Sequence, residues 1–97
     1  MIKVLVSKKK IEINGHSGYD TLGKDIVCSS VSSIVTTTIN GIISIEREAI
    51  SYKYVKDTMY IDIKKEDMIT EKLIENMVIM LKELAHDYPK NISVKEI

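Results

Sequence analysis

Residues 26–45 form a run of twenty residues without a charged side chain, and this run restricts the possible folds more than any other part of the sequence. A helix of that length could cross a membrane. Ten of the twenty residues are Ser, Thr, Asn or Gly, so the apolar remainder is too sparse for spontaneous insertion. We therefore expect a helix that is covered on two faces inside the protein, with its small hydroxyl residues allowing close packing.

The beginning of this helix is marked by an acidic residue. Asp25 stands directly before the apolar Ile26 and Val27, and we expect it to be the N-cap, accepting a hydrogen bond from an unpaired amide of the first turn. Cys28, the only cysteine, then occupies the third helical position. Unpaired amides and the helix dipole favour an anion there, and the thiolate is the nucleophilic form of cysteine.

The rest of the chain shows two further patterns. Apolar residues recur at helical spacing from 73 to 85, which predicts a second helix with Thr70 as its N-cap and an end before Pro89. Alternation of apolar and polar residues predicts five strands, at residues 2–6, 11–14, 51–55, 59–64 and 92–95. The order β-β-α-β-β-α-β indicates a single small α+β domain over residues 1–97, with two helices packed on a mixed or mostly antiparallel sheet.

Composition excludes several classes of protein. Fourteen basic residues balance fourteen acidic ones, so we expect no direct nucleic-acid partner and no membrane association. One cysteine cannot form an internal disulfide, and no apolar signal segment follows the first strand, so we expect a cytoplasmic protein. One cysteine and two histidines fall short of a zinc ligand set, so we expect no metal and no cofactor.

A glycine-bearing segment separates a candidate base from a candidate nucleophile. His16 stands at the end of the second predicted strand, and eleven residues lie between it and Cys28. The segment between them offers little for packing, so we expect residues 17–24 to form a mobile loop that closes over the correct substrate. The residues expected to define this loop are Gly18, Tyr19 and Gly23.

The same stretch resembles a known family. The pair GH at 15–16, the run GKDIVC at 23–28 and the serine at 32 are similar to the signature of the ribosomal-processing cysteine proteases, the Prp family. Chain length, element order and the ending YPKNISVKEI are also similar, so the resemblance covers essentially the whole chain. The sequence departs from the family at Ser17, Ser29 and Ser30, where alanine is the commoner choice and the residue remains small.

The resemblance implies a bacterial cytoplasmic endopeptidase, usually homodimeric, that removes a short N-terminal extension from a protein of the large ribosomal subunit. It implies that Cys28 is the nucleophile and His16 the general base, which together form an acyl-enzyme that water hydrolyses. It further implies supporting roles for Gly15, Asp25 and Ser32, with Gly15 letting the backbone run close beside the histidine. We expect the first-turn amides around Cys28 to stabilise the oxyanion.

Alternatives remain open from the residues themselves. Asp25 could orient His16 or only cap the helix, and the cap is favoured because it explains the local pattern without the fold. No third catalytic residue can be assigned. Cys28 could instead be an unreactive packing residue in a non-enzymatic ribosome-assembly binding module, or the reversible thiol of a redox sensor.

Overall fold

The computed structural model describes residues 1–21 and 23–97, and it confirms the predicted α+β class and the order β-β-α-β-β-α-β. The elements are β1 (Ile2–Val6), β2 (Lys10–Asn14), α1 (Ile26–Ile45), β3 (Ile50–Val55), β4 (Thr58–Ile63), α2 (Met68–Asp87) and β5 (Ile92–Glu96).

The five strands form one mixed sheet with the order β3-β4-β2-β1-β5. All neighbouring strands are antiparallel except β1 and β5, which run parallel with Val4 opposite Val94. Pairing of β2 with β4 places Asn14 opposite Thr58, and the Asn14 side-chain amide donates to the Thr58 hydroxyl. The end of β2 therefore lies beside the turn between β3 and β4, and the candidate active site is in this region.

Helix α1 buries one stripe, so the expectation of two covered faces is wrong. Its buried residues are Val27, Val31, Val35, Ile39 and Ile42. The hydroxyl residues lie outside this stripe, and four of them, Ser29, Ser30, Thr38 and Ser44, donate to backbone carbonyls of the helix or its cap. Ser30 Oγ donates to the Ile26 carbonyl at 2.7 Å, and Thr38 Oγ1 donates to the Ile34 carbonyl at 2.9 Å. Because the backbone satisfies these hydroxyls, they can lie near the surface of a long uncharged helix. By length and composition alone α1 could cross a membrane, but its apolar stripe here belongs to the protein core.

Helix α2 begins three residues earlier than the sequence suggested, and Thr70 is not its N-cap. Asp67 is the N-cap, because its Oδ1 accepts from the Thr70 N–H at 2.8 Å. The Thr70 side chain is buried and its hydroxyl donates to Asp67 Oδ2 at 3.1 Å. The helix ends before Pro89, as predicted, with Tyr88 as its C-cap.

Buried side chains from both helices and all five strands form one cluster. Among its fully enclosed members are Val4, Ile11, Ile61, Met77, Leu81 and Ile92. Burial of this apolar surface stabilises the arrangement in which the start of α1 lies near the start of β1 and the end of β2.

Candidate active site

A tight turn after β2 positions His16. Gly15 has φ +95°, and a Cβ added there would lie 2.6 Å from the Met1 carbonyl oxygen. Only glycine fits, because the conformation is left-handed and the backbone of β1 lies against it. The Gly15 N–H donates to the Asp57 carbonyl at 3.4 Å, which ties this turn to the β3–β4 turn. The histidine that follows is solvent-exposed.

Cys28 is the third residue of α1 and is half-buried. The backbone N–H of Ser17 points to its sulfur, with 3.5 Å between nitrogen and Sγ. Cys28 and His16 line the same cavity, of about 250 Å³, together with Gly15 and Ser32. The structure therefore brings together four of the residues that the sequence selected.

The apolar part of the cavity comes from β1, β2, β3, β4 and α1. Its lining includes Ile2, Ile13, Val31, Val35, Tyr54 and Met59. Such a wall can hold an apolar side chain beside the sulfur.

Asp25 is the N-cap of α1, so the cap interpretation of this residue is confirmed. One carboxylate oxygen serves the helix: Oδ1 accepts from the N–H groups of Val27 at 3.0 Å and Cys28 at 2.9 Å. The other oxygen serves the loop: Oδ2 accepts from the Ser17 hydroxyl, from Tyr19 N–H at 3.2 Å and from Asp20 N–H at 3.3 Å.

This environment sets the charge of Asp25. Burial alone raises its pKa, but hydrogen bonds from the Ser17 hydroxyl and from the N–H groups of Cys28, Asp20 and Val27 outweigh burial and lower the pKa to about 2. Asp25 is therefore an anion throughout the physiological pH range.

The prediction that the first-turn amides around Cys28 stabilise the oxyanion is wrong for Val27 and Cys28. The first-turn amides of Val27 and Cys28 donate to Asp25, since the capping carboxylate occupies the anion position at the start of the helix. The Ser17 N–H is the donor that the structure places at the Cys28 sulfur.

The segment after His16 has more contacts than its sequence suggested. Ser17 is buried, and its carbonyl accepts a hydrogen bond from Asn91 Nδ2 at 3.0 Å. The Tyr19 ring meets the Tyr88 ring edge to face, with 5.4 Å between centroids. The expectation that this loop has little to pack against is wrong for Ser17 and Tyr19. Its mobility stays a prediction.

The loop after His16 contains two glycines with positive φ. Gly18 and Gly23 have φ of +69° and +89°, the left-handed region that favours glycine. Leu22, within the predicted loop, lies outside the described residues. The sequence analysis did not select Asn91 or Tyr88 as partners of this loop. Their one sequence signal is that they lie near Pro89, after the second helix.

A second acidic residue lies beside His16. Asp57 Oδ1 is 3.8 Å from His16 Nε2, with side-chain exposures of 73% and 69% respectively. Asp57 also lines the cavity. In the sequence Asp57 lies between the predicted strands 51–55 and 59–64, and only the pairing of β2 with β4 brings it to the end of β2. Across residues 1–21 and 23–97 the structure shows no group of three or more His, Cys, Asp or Glu residues that could hold a metal.

Comparison with known proteins gives consistent matches. The sequence profile of a family described as Cysteine protease Prp matches residues 1–93. The Ribosomal processing cysteine protease Prp of Mycoplasma pneumoniae is 32% identical over 107 residues, covering 99% of this chain and 95% of that protein. The protein of the same name from Mycoplasma genitalium is 31% identical over 98 residues, covering 99% and 96%.

Solved structures confirm the fold. A Staphylococcus aureus Prp in complex with a covalently linked product peptide superposes with a TM-score of 0.94 at 21% identity, covering all of both chains. The S. aureus Prp in complex with a substrate peptide gives a TM-score of 0.87 at 20% identity, again over all of both chains.

Proposed function

This chain belongs to the cysteine protease Prp family and is a cysteine protease, and from that membership we propose that it removes a short N-terminal extension from a protein of the large ribosomal subunit. One observation carries the proposal: His16 and Cys28 line one cavity, with the Ser17 N–H directed at the sulfur. The relatives named as ribosomal processing proteases support the class of substrate.

In the proposed reaction, Cys28 is the nucleophile and His16 the general base. His16 takes the thiol proton, and the sulfur attacks the carbonyl carbon of the scissile peptide bond. The carbon–nitrogen bond breaks, His16 returns its proton to the leaving amine, and a thioester remains on Cys28. Water then attacks the thioester, gives a proton to His16, and releases the new carboxylate and the thiol.

The negative charge on the carbonyl oxygen needs donors that are already oriented. The Ser17 N–H lies at the sulfur, and the carbonyl of the same residue, in the next peptide group, accepts from Asn91. Ser17 is therefore tethered on both sides before substrate arrives. Loss of one donor of this kind costs about 10² to 10³ in kcat in other acyl-transfer enzymes.

We further propose a cytoplasmic, bacterial homodimer that has no nucleic-acid or membrane partner. The bacterial relatives and the balanced charge support this assignment. The packed stripe of α1 supports a core role for the one helix, within the described ranges, that could span a membrane. Light scattering on the eluting protein tests the dimer, since a mass near 11.0 kDa would contradict it.

The function is tested by incubating the protein with the precursor of a large-subunit ribosomal protein and mapping the new terminus by mass spectrometry. We expect one cut near the N-terminus, none with Cys28→Ala, and a rate lower by about 10² to 10⁴ with His16→Ala. An intact precursor after incubation with the parent enzyme contradicts the proposal. Cys28 alkylation without cleavage points to a redox sensor, and neither alkylation nor cleavage points to a binding module.

A further inference from the structure

The Asp57 carboxylate lies beside one of the two ring nitrogens of His16. Asp57 Oδ1 lies 3.8 Å from Nε2. If Nε2 carries the proton and faces the carboxylate, Nδ1 keeps the lone pair that accepts the thiol proton. We propose that Asp57 is the positioning residue of His16, which fixes the tautomer and ring orientation of the base and stabilises its imidazolium form. This inference rests on the proposed roles of His16 and Cys28.

Backbone contacts hold Asp57 in place independently of its side chain. The Asp57 carbonyl accepts from the N–H of Gly15, directly before the histidine. One residue further on, Thr58 pairs with Asn14 across the β2–β4 ladder, and their side chains are hydrogen-bonded. His16 and Asp57 therefore both lie next to the paired ends of β2 and β4. The distance between them does not depend on the loop after Ser17.

The Asp25 carboxylate is already occupied by other hydrogen bonds. Both oxygens of Asp25 accept hydrogen bonds from the helix start and from the loop. The titratable side chains that line the cavity with His16 are Cys28, Tyr54 and Asp57. Among these, Asp57 supplies the carboxylate for the imidazolium.

The exposure of the pair determines when Asp57 acts. In the free enzyme both side chains are mostly exposed, and water weakens their attraction. A peptide bound in the cavity displaces water, so the same charges interact more strongly as the proton moves to His16. Asp57 therefore contributes mainly to kcat and little to substrate binding or to the stability of the free protein.

Three substitutions test this role with a cleavable peptide under conditions in which the parent enzyme is active. We expect Asp57→Ala to lower kcat by about tenfold to a hundredfold with little change in KM, the loss expected for a misplaced catalytic group. Asp57→Glu restores part of kcat. Asp57→Asn keeps a hydrogen-bond acceptor, so it retains more of the parent kcat than Asp57→Ala does. It moves the pH–rate profile to lower pH, because the imidazolium loses its negative partner.

The matched control is Asp87→Ala, which removes an exposed aspartate 3.6 Å from the other histidine, His86, at the end of α2. It leaves kcat and the pH profile unchanged. If Asp57→Ala has the kcat and pH profile of the parent, the inference is overturned while the protease function stands. If the parent itself cleaves nothing, the proposed function has failed instead. A fall in melting temperature shared by all three variants, without rescue by Glu, assigns Asp57 a structural role and also overturns the inference.

Discussion

Asp25 is the residue whose charge the fold controls most strongly. Its pKa in the folded protein is about 2, against about 4 in an unfolded chain, so the folded state binds fewer protons in this interval. The stabilisation is complete above about pH 4 and is lost as the pH falls through about 2. We expect the difference in unfolding free energy between the parent and Asp25→Asn to be largest near neutral pH and to shrink between pH 4 and pH 2, as measured by urea unfolding.

A difference measurement is needed because other carboxylates behave similarly. The Thr70 N–H donates to Asp67 and lowers its pKa, and the Lys65 ammonium lowers that of Glu46. Asp20→Asn, in the same loop, is the control substitution. A parent-to-Asp25→Asn difference that stays constant with pH would contradict the assignment of the cap as a charged acceptor.

Gly15 gives a second prediction at the scale of one residue. Gly15→Ala meets the Met1 carbonyl at 2.6 Å and keeps an unfavourable φ of +95°. Gly18→Ala has a positive φ as well, but no heavy atom within 4 Å of the new Cβ. We expect Gly18→Ala to lose about 1 to 3 kcal/mol of unfolding free energy, and Gly15→Ala to lose more because the clash adds to the strain. Equal urea midpoints for the two variants would show that β1 moves aside freely.

At the scale of elements, the loop after His16 depends on the segment that leads into β5. The Asn91 side chain holds the Ser17 carbonyl, and the Ser17 N–H points to the sulfur. We expect Asn91→Ala to speed amide exchange at residues 18–21 and to lower kcat about tenfold or more, because the donor loses its fixed position. Asn76→Ala, on the exposed side of α2, is the control. Unchanged exchange together with unchanged kcat would show that Asp25 alone orders the loop.

The sequence predicts those elements whose signals are local. Apolar spacing gave both helices, alternation gave all five strands, and an acidic residue before an apolar run gave the Asp25 cap. The α2 cap was missed because residues 67–71 offer several polar candidates and only the fold buries Thr70. The contacts of Asn91 with Ser17 and of Asp57 with His16 join residues far apart in sequence, so no local pattern could reveal them.

At the scale of the whole molecule, β5 forms one edge of the sheet beside β1, and the Ile92 side chain anchors it in the core with 1% of its surface exposed. We expect Ile92→Ala to lower the unfolding free energy by about 2 to 5 kcal/mol through lost burial and the cavity left behind. Ile79→Ala, at a position 48% exposed, changes it by about 0.5 kcal/mol or less. Similar urea midpoints for these two variants would show that the sheet does not need β5.

The two oxygens of Asp25 have one more consequence, for how such an enzyme can diversify. Oδ1 holds the first turn of α1, which carries Cys28, and Oδ2 holds the loop at Tyr19 and Asp20. The hydrogen bonds that position Cys28 are therefore distinct from those that hold the loop. Tyr19 and Asp20 reach the carboxylate through backbone N–H groups, so side-chain substitutions at Asp20 and Thr21 can accumulate while the reacting groups keep their positions. On the prediction that this loop closes over the substrate, such substitutions would change which peptides are accepted, and a directed-evolution library would be placed there first.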